Sequence, residues 1–265
     1  ARPELASNDP ELYKMHIKAR SLFTKNTRET NKEAEKLWRK ALEKEPENFR
    51  FMNSLGWVYW QKIILRTSDN PKEDIQEGLK LAKKALSIRQ THAPALSLEL
   101  SLELMMGNHD EACQKVEKIF QHSETIFDTA LGAAGAHSCG DLELAISNYE
   151  YVLTNAPHFS SWARNSYSYA LVENGNFDKA LKFFDSELKK EHAFGGFSQT
   201  MYLLSAFINK KRGDEKKAKE FFEKQKSQDG KGKSANRIRG ELSMLKNKGF
   251  INELINELSS LGLTK

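Results

Sequence analysis

Few residues in the sequence have the types and spacing that metal or phosphate binding requires. Imidazole nitrogens and thiolates are the ligands that zinc prefers, and the candidates are His109, His122, His137 and Cys139. These residues fall on different predicted helices or turns, and the two cysteines of the chain form no CxxC pair. Neither of the phosphate-binding patterns GxxxxGKS/T and GxGxxG occurs. We therefore expect no bound metal and no cofactor.

Residues for acid–base or nucleophilic catalysis are equally without a supporting pattern. Serine, histidine and aspartate are plentiful, but no serine lies in a nucleophile-elbow context. Glu99 and Glu103 are four residues apart, which places both carboxylates on one helix face. That arrangement is typical of a solvated or hairpin-facing surface. We expect no catalytic residue, and recognition of another molecule by helix surfaces is the chemistry that remains.

A pattern of small residues, one aromatic residue and one proline recurs along the chain. Its first complete copy is Ala34, Trp38, Ala41 and Pro46. The next copy begins in phase with Leu55, Gly56 and Tyr59. A glycine followed five residues later by alanine then recurs at intervals of 33 to 38 residues, as Gly107/Ala112, Gly140/Ala145, Gly175/Ala180 and Gly213/Ala218.

This pattern resembles the tetratricopeptide (TPR) repeat, a helical hairpin of about 34 residues. The small residues let the two helices of a hairpin approach closely, and the aromatic ring fills the gap that remains. Glycine supplies the positive φ that ends the first helix, while proline ends the second. The resemblance implies an all-α fold, a TPR-type α-solenoid, which is a right-handed superhelix of about six helical hairpins plus two C-terminal helices.

The phase of the pattern gives the expected boundaries. We place the TPR superhelix at residues 1–228, with hairpins at about 12–46, 47–92, 93–125, 126–157, 159–192 and 197–228. An insertion of about ten residues interrupts the second hairpin near residues 66–71. Residues 229–265 are expected to form two capping helices, at about 234–247 and 250–261, after a turn-rich hinge at 229–233.

Charge and composition indicate which classes of partner and which cellular location to expect. The formal net charge is +5, and residues 209–239 contain twelve Lys and Arg against five Asp and Glu. Such a block could meet nucleic acid, but its interleaved acidic residues favour a solvated helix face, so nucleic acid is the weaker alternative. No apolar stretch approaches the roughly 20 residues of a membrane span, and residues 1–4 show neither Met nor a signal-peptide pattern. These features, with two isolated cysteines, predict a soluble cytoplasmic fragment of a longer protein.

The first helices of stacked hairpins line a groove on the inside of the superhelix. The phase of the repeat places apolar and aromatic residues there with few charges, and aromatic residues are enriched in protein interfaces. We therefore predict a peptide-binding groove with a polypeptide partner, either another protein or another domain of the same chain; a homodimer is the alternative. Its predicted residues are Arg50, Asn53, Trp57, Trp60, Ser101, Met105, His137, Arg164 and Tyr169.

The chain as a whole also resembles the C-terminal TPR regions of bacterial class III adenylate/guanylate cyclases. The matching segments are Asp9-Pro10-Glu11-Leu12-Tyr13, Leu55-Gly56-Trp57-Val58-Tyr59 and the ending Leu254-Ile255-Asn256-Glu257-Leu258. The resemblance implies a regulatory module in a bacterial signalling protein. The metal-binding aspartates of such cyclases belong to a different domain, so the resemblance implies no catalytic residue in this chain.

Overall fold

The computed structural model describes residues 6–190, 195–227 and 232–264, and all regular secondary structure in these residues is α-helical. The first seven helices are α1 Pro10–Phe23, α2 Arg28–Lys44, α3 Phe49–Ile64, α4 Pro71–Ile88, α5 Ala93–Met106, α6 His109–Cys113 and α7 Lys115–Gln121. The remaining helices are α8 Ile126–Cys139, α9 Leu142–Asn155, α10 Ser161–Glu173, α11 Phe177–Leu188, α12 Gly195–Lys211, α13 Glu215–Ser227, α14 Ala235–Glu241 and α15 Lys248–Ser259.

The chain divides into two compact units, Ala1–Glu124 and Thr125–Lys265. Unit 1 contains three hairpins, formed by α1 with α2, α3 with α4, and α5 with α6 and α7. Unit 2 contains three more, formed by α8 with α9, α10 with α11, and α12 with α13, and then the two C-terminal helices. The predicted all-α, TPR-type α-solenoid architecture is confirmed.

Local sequence signals account for the ends of the helices. Side chains that precede a helix accept hydrogen bonds from its first backbone amides, as Asp9 does for α1 and Asn48 does for α3. Thr125 and Asp128 form a reciprocal capping box at the start of α8. Gly107 and Gly140 end the first helices of two hairpins with φ of 86°, a conformation that favours glycine.

The core of each hairpin follows the repeat pattern. The pattern alanines Ala34, Ala41, Ala112, Ala145, Ala180 and Ala218 are all 0% exposed. The aromatic residues of the same pattern are also buried, and they are Trp38, Tyr149, Phe184 and Phe222. Small side chains and large rings therefore alternate as the pattern predicts, with the rings filling the space that the alanines leave.

Two glycines in unit 1 lie where helices pack closely. A Cβ atom on Gly56 would lie 2.4 Å from Leu98 Cδ2, and one on Gly78 would lie 2.8 Å from Leu102 Cδ1. Both distances are shorter than van der Waals contact. The two glycines thus let α3 and α4 approach each other and receive leucine side chains from α5 of the next hairpin.

Three details differ from the sequence-based expectations. The second helix of the third hairpin is interrupted at Gln114, so it consists of α6 and α7. The first C-terminal helix, α14, ends at Glu241 rather than near residue 247. Cys113 and Cys139 are both disulfide-bonded, which corrects the expectation of two separate thiols. The hinge predicted at 229–233 lies mostly outside the described residues.

Replacing Gly56 with Ala tests the close helix packing. The added methyl group collides with Leu98, and we expect the free energy of unfolding to fall by about 1–3 kcal/mol, measured by urea denaturation followed by circular dichroism. Ser87→Ala, at an exposed helical position, is the control and should change stability by less than about 0.5 kcal/mol. Equal stability of the two variants would contradict the packing.

A buried histidine makes the stability of unit 1 depend on pH. Trp38 Nε1 donates a hydrogen bond to His16 Nδ1 over 3.1 Å, and this acceptor must stay unprotonated. Burial, reinforced by the nearby charges of Arg20 and Arg50, lowers the pKa of His16 from 6.5 to about 4. The folded chain therefore binds fewer protons than the unfolded chain between these pH values, so stability falls as the pH drops through this range.

We expect His16→Asn to make this pH dependence shallower, because the amide side chain does not titrate. The measurement is urea denaturation of both proteins at pH 7 and pH 5. The difference in unfolding free energy between the two pH values should be smaller in the variant. An unchanged difference would show that other groups, such as His92, account for all of it.

Candidate binding surfaces of the two units

The predicted groove residues divide between the two units. Unit 1 holds those on α3 and α5, namely Arg50, Asn53, Trp57, Trp60, Ser101 and Met105. Unit 2 holds those on α8 and α10, namely His137, Arg164 and Tyr169. Burial and hydrogen bonding decide which of these side chains are accessible to a partner.

Trp57, Trp60 and Met105 of unit 1 are partly exposed side chains that pack together, and they are here called the tryptophan patch. The two indole rings meet edge to face, with 5.2 Å between centroids and 76° between planes. All three side chains are half-buried against a core formed by Ala82, Leu98 and Leu102. Each therefore has a fixed position and keeps an exposed apolar edge.

Arg50 is fixed at the N-terminal end of α3. Its guanidinium lies 4.6 Å from the centroid of the Phe49 ring. The Arg89 guanidinium lies 5.5 Å from the same centroid. The Phe49 and His92 rings meet edge to face, with 4.9 Å between their centroids. Burial and the two arginine charges lower the pKa of His92 to about 4. The cluster therefore contains a neutral imidazole at neutral pH, and its Arg89 pairs with Glu124 over 2.9 Å.

The polar residues of the predicted groove in unit 1 are less accessible than expected. Asn53 is buried, and its Oδ1 has no hydrogen-bond partner among the described residues. Ser101 is half-buried, and its Oγ donates to the backbone carbonyl of Ser97 over 2.8 Å. Asn53 and Ser101 thus contribute less exposed surface than the tryptophan patch.

His137 is buried in unit 2 and does not face solvent. Its Nε2 lies 3.0 Å from Glu173 Oε2, and the two side chains are only 4% and 1% exposed. Because the carboxylate belongs to α10, this contact ties α8 to the next first helix. The expectation that His137 lines an open groove is wrong.

Arg164 is also buried, and its donors are used within the chain. Nε donates to Glu187 Oε2 over 3.0 Å, while Nη1 and Nη2 donate to the backbone carbonyls of Phe159 and Pro157. The guanidinium therefore joins the turn before α10 to helix α11. The expectation that Arg164 lines an accessible groove is wrong, since the side chain is buried and has a structural role.

Tyr169 is 2% exposed and lies beneath the side chain of Lys233. The Lys233 ammonium is 6.0 Å from the centroid of the Tyr169 ring, donates to Thr200 Oγ1 over 2.7 Å and pairs with Glu241. Burial raises the pKa of the Tyr169 hydroxyl and lowers the pKa of Lys233. The expected exposure of Tyr169 is wrong, and Lys233 is no surface charge.

Residues 232–248, here called the C-terminal segment, cover Tyr169. Its apolar side chains are buried and follow a helical spacing, and they are Ala235, Ile238, Leu242 and Leu245. The backbone amide of Lys246 donates to the carbonyl of Ser138 at the end of α8 over 2.8 Å. The helical spacing of these side chains was the available sequence signal for the segment, but it does not reveal which surface they cover.

The basic block at residues 209–239 is largely neutralised. Most of its cations pair with nearby carboxylates, in the pairs Lys210–Glu215, Lys211–Glu253, Arg212–Asp178, Lys217–Asp214, Lys224–Glu220, Lys226–Glu223 and Arg237–Glu241. Such pairing reduces the positive field that nucleic-acid binding needs. Within the described ranges, no group of three or more His, Cys, Asp or Glu residues is placed to hold a metal ion.

None of the described helices combines the length and the apolar character that a bilayer crossing requires. The paired helices, buried alanines and glycine turns define a TPR-type α-solenoid. No protein-family model and no curated protein matches the chain.

Solved structures support the same class. PilW, a type IV pilus biogenesis factor, is 15% identical with a TM-score of 0.57, covering 83% of this chain and 94% of that chain. Pseudomonas aeruginosa pilF is 14% identical with a TM-score of 0.55 and the same two coverages. YrrB, a TPR protein with an unusual peptide-binding site, is 15% identical with a TM-score of 0.50, covering 73% of this chain and 92% of that chain. At sequence identities of 14–15%, these structural similarities are evidence for the fold alone.

Replacing Arg164 with Ala tests its structural role. The change removes the Arg164 partner of buried Glu187, which still pairs with Lys190, and it frees two backbone carbonyls. We therefore expect a loss of at least about 2 kcal/mol in unfolding free energy. The measurement is urea denaturation. Lys189→Ala, which removes an exposed ion pair with Asp185, should cost less than about 1 kcal/mol. A stability-neutral Arg164→Ala would restore this residue as a candidate for ligand contact.

Proposed function

We propose that this chain is a non-catalytic protein-interaction module and that the tryptophan patch of unit 1 contacts a polypeptide partner. The observation that carries the proposal is the pair of half-buried indoles, Trp57 and Trp60, fixed edge to face at 5.2 Å beside Met105. Immobilised aromatic rings bury a large area on binding and lose little conformational entropy.

Met105 and Arg50 suit the same role. A methionine side chain adapts its shape to different apolar partners. Arg50 lies on the same helix as the two tryptophans and holds positive charge near its N-terminal end. The patch therefore suits a peptide with an apolar side chain and an acidic group, for which charge-assisted hydrogen bonds add orientation. The described peptide-binding site of the fold neighbour YrrB supports this class of function.

The type of protein to which this module belongs is inferred from the sequence resemblance alone. We propose that the module belongs to a bacterial signalling protein of the class III adenylate/guanylate cyclase type, in which it regulates a separate catalytic domain. Its partner is then another protein or another domain of the same chain. A cytoplasmic location stays a prediction. The redox state of Cys113 and Cys139 is relevant to this predicted location, because disulfides persist mainly in oxidising compartments.

The test of the proposed surface uses random peptides displayed on phage and selected on the immobilised full chain. Selected peptides are then synthesised with a fluorescent label, and their binding is measured by fluorescence anisotropy. We expect Trp60→Ala to weaken binding by about 1–3 kcal/mol, with Trp57→Ala acting in the same direction. Circular dichroism of both variants checks that the helices are retained.

Tyr151→Ala is the matched control, because Tyr151 is an aromatic residue on α9 that is exposed and lies outside the patch. Peptides should bind this variant as they bind the unmodified chain. Peptides that bind equally to the Trp60 and Tyr151 variants would overturn the assignment of the patch. Light scattering of the unmodified chain at several concentrations separates peptide binding from the alternative, a homodimer.

A further inference from the structure

The C-terminal segment lies against three consecutive first helices of unit 2. Lys233 contacts Thr200 on α12 and the ring of Tyr169 on α10, and Lys246 donates its backbone amide to Ser138 on α8. The repeat phase assigns Tyr169 to the groove side of α10. The segment therefore crosses the surface on which a TPR fold would hold a peptide.

Lys233 makes the most specific of these contacts. Its side chain enters a pocket in which Thr200 Oγ1 accepts a hydrogen bond from Nζ, the Tyr169 ring lies beneath the ammonium, and Glu241 supplies the counter-charge. The backbone amide of Lys233 donates to Oε1 of buried Gln225 over 3.0 Å. Only 3% of the residue is exposed. Both its main chain and its side chain are thus bound as those of a recognised ligand would be.

We propose that residues 232–248 are an internal ligand, occupying a polypeptide-binding site on unit 2 whose specificity pocket accepts a lysine side chain between Thr200 and Tyr169. The inference rests on the proposed function in one respect, since it assumes that first helices bind polypeptide. It identifies the occupant as this segment of the same chain. A partner that replaces it presents a lysine and a carboxylate arranged like Lys233 and Glu241.

The contacts of the segment explain how it can be released. Four buried apolar side chains hold one face of the segment. Among the described residues, Glu241 supplies the carboxylate that pairs with the buried Lys233 ammonium. The Glu241 side chain is 29% exposed and also accepts a hydrogen bond from Arg237 Nε over 3.0 Å. Removing its charge leaves a buried ammonium without a counter-charge, which is strongly unfavourable. Glu241 therefore controls the occupancy of the pocket.

The experiment uses the full chain with Glu241→Gln. Hydrogen exchange of residues 235–242, followed by mass spectrometry, should accelerate by at least about tenfold because the lysine loses its counter-charge. Exchange in α9 should stay unchanged. Glu143→Gln, at an exposed position of α9, is the matched control and should behave as the unmodified chain does.

The second measurement supplies the ligand from outside. The probe is a labelled synthetic peptide with the sequence of residues 232–248, and its binding is followed by fluorescence anisotropy. It should bind the Glu241→Gln chain at least about tenfold more tightly than the unmodified chain, in which the tethered segment competes. A peptide carrying Lys233→Met should lose this binding.

Three results would overturn the proposal. Unchanged exchange at 235–242 means that Glu241 does not hold the segment. Faster exchange without peptide binding means that the segment is a cap with no site beneath it. Equal binding of the Lys and Met peptides means that the pocket does not select lysine. If Glu241→Gln unfolds the chain, Thr200→Val in the full chain replaces it in the exchange measurement, because it removes the hydroxyl acceptor of the pocket and nearly preserves side-chain volume. The 232–248 peptide should then bind this variant no more tightly than it binds the unmodified chain.

The outcome is independent of the test of the tryptophan patch. Peptides selected by phage display report on Trp60 in unit 1, whereas exchange and the 232–248 peptide report on Lys233 in unit 2. If Trp60→Ala has no effect but the peptide binds the Glu241→Gln chain, the patch assignment fails and the internal ligand stands. If the reverse holds, the internal ligand fails and the patch stands.

Discussion

Each helical hairpin in this protein leaves one apolar face uncovered, and the structure depends on how the next element covers that face. The requirement explains why small residues recur where helices meet. In unit 1, Gly56 and Gly78 leave room for Leu98 and Leu102 of the following hairpin. In unit 2, the last hairpin has no successor, and α15 packs against α12 through Phe250 and Phe207. Helix α15 thus takes the place of a further repeat.

Most of the fold was predictable from the sequence because the relevant interactions are local and periodic. The positions of Ala145, Ala180 and Gly140 follow from the spacing of a single hairpin, and each is buried or positioned as that spacing requires. The interruption at Gln114 was not predictable in this way. The triplet of glycine, alanine and aromatic residue specifies where helices pack, but it does not specify whether the second helix remains continuous.

The candidate site was less predictable, since its accessibility depends on residues far away in the chain. Trp57 and Trp60, which the repeat phase predicts to lie on the groove side, remain half-buried. Tyr169 follows the same phase but is covered by Lys233, which is distant in sequence. Arg164 has the polar side chain expected of a ligand contact, yet it donates to the backbone carbonyls of Phe159 and Pro157 in the turn before α10. Periodicity locates a helix face but gives no information about what covers it.

The covalent attachment of the C-terminal segment has a consequence for competition. A tethered segment has a local concentration set by chain geometry, typically millimolar for short flexible connections, and this concentration does not change on dilution. A free polypeptide of equal intrinsic affinity therefore occupies little of the Lys233 pocket at micromolar concentration. Binding of a partner to unit 2 would thus require a threshold concentration of that partner. The local concentration of the tethered segment, rather than the affinity of the pocket, would set this threshold.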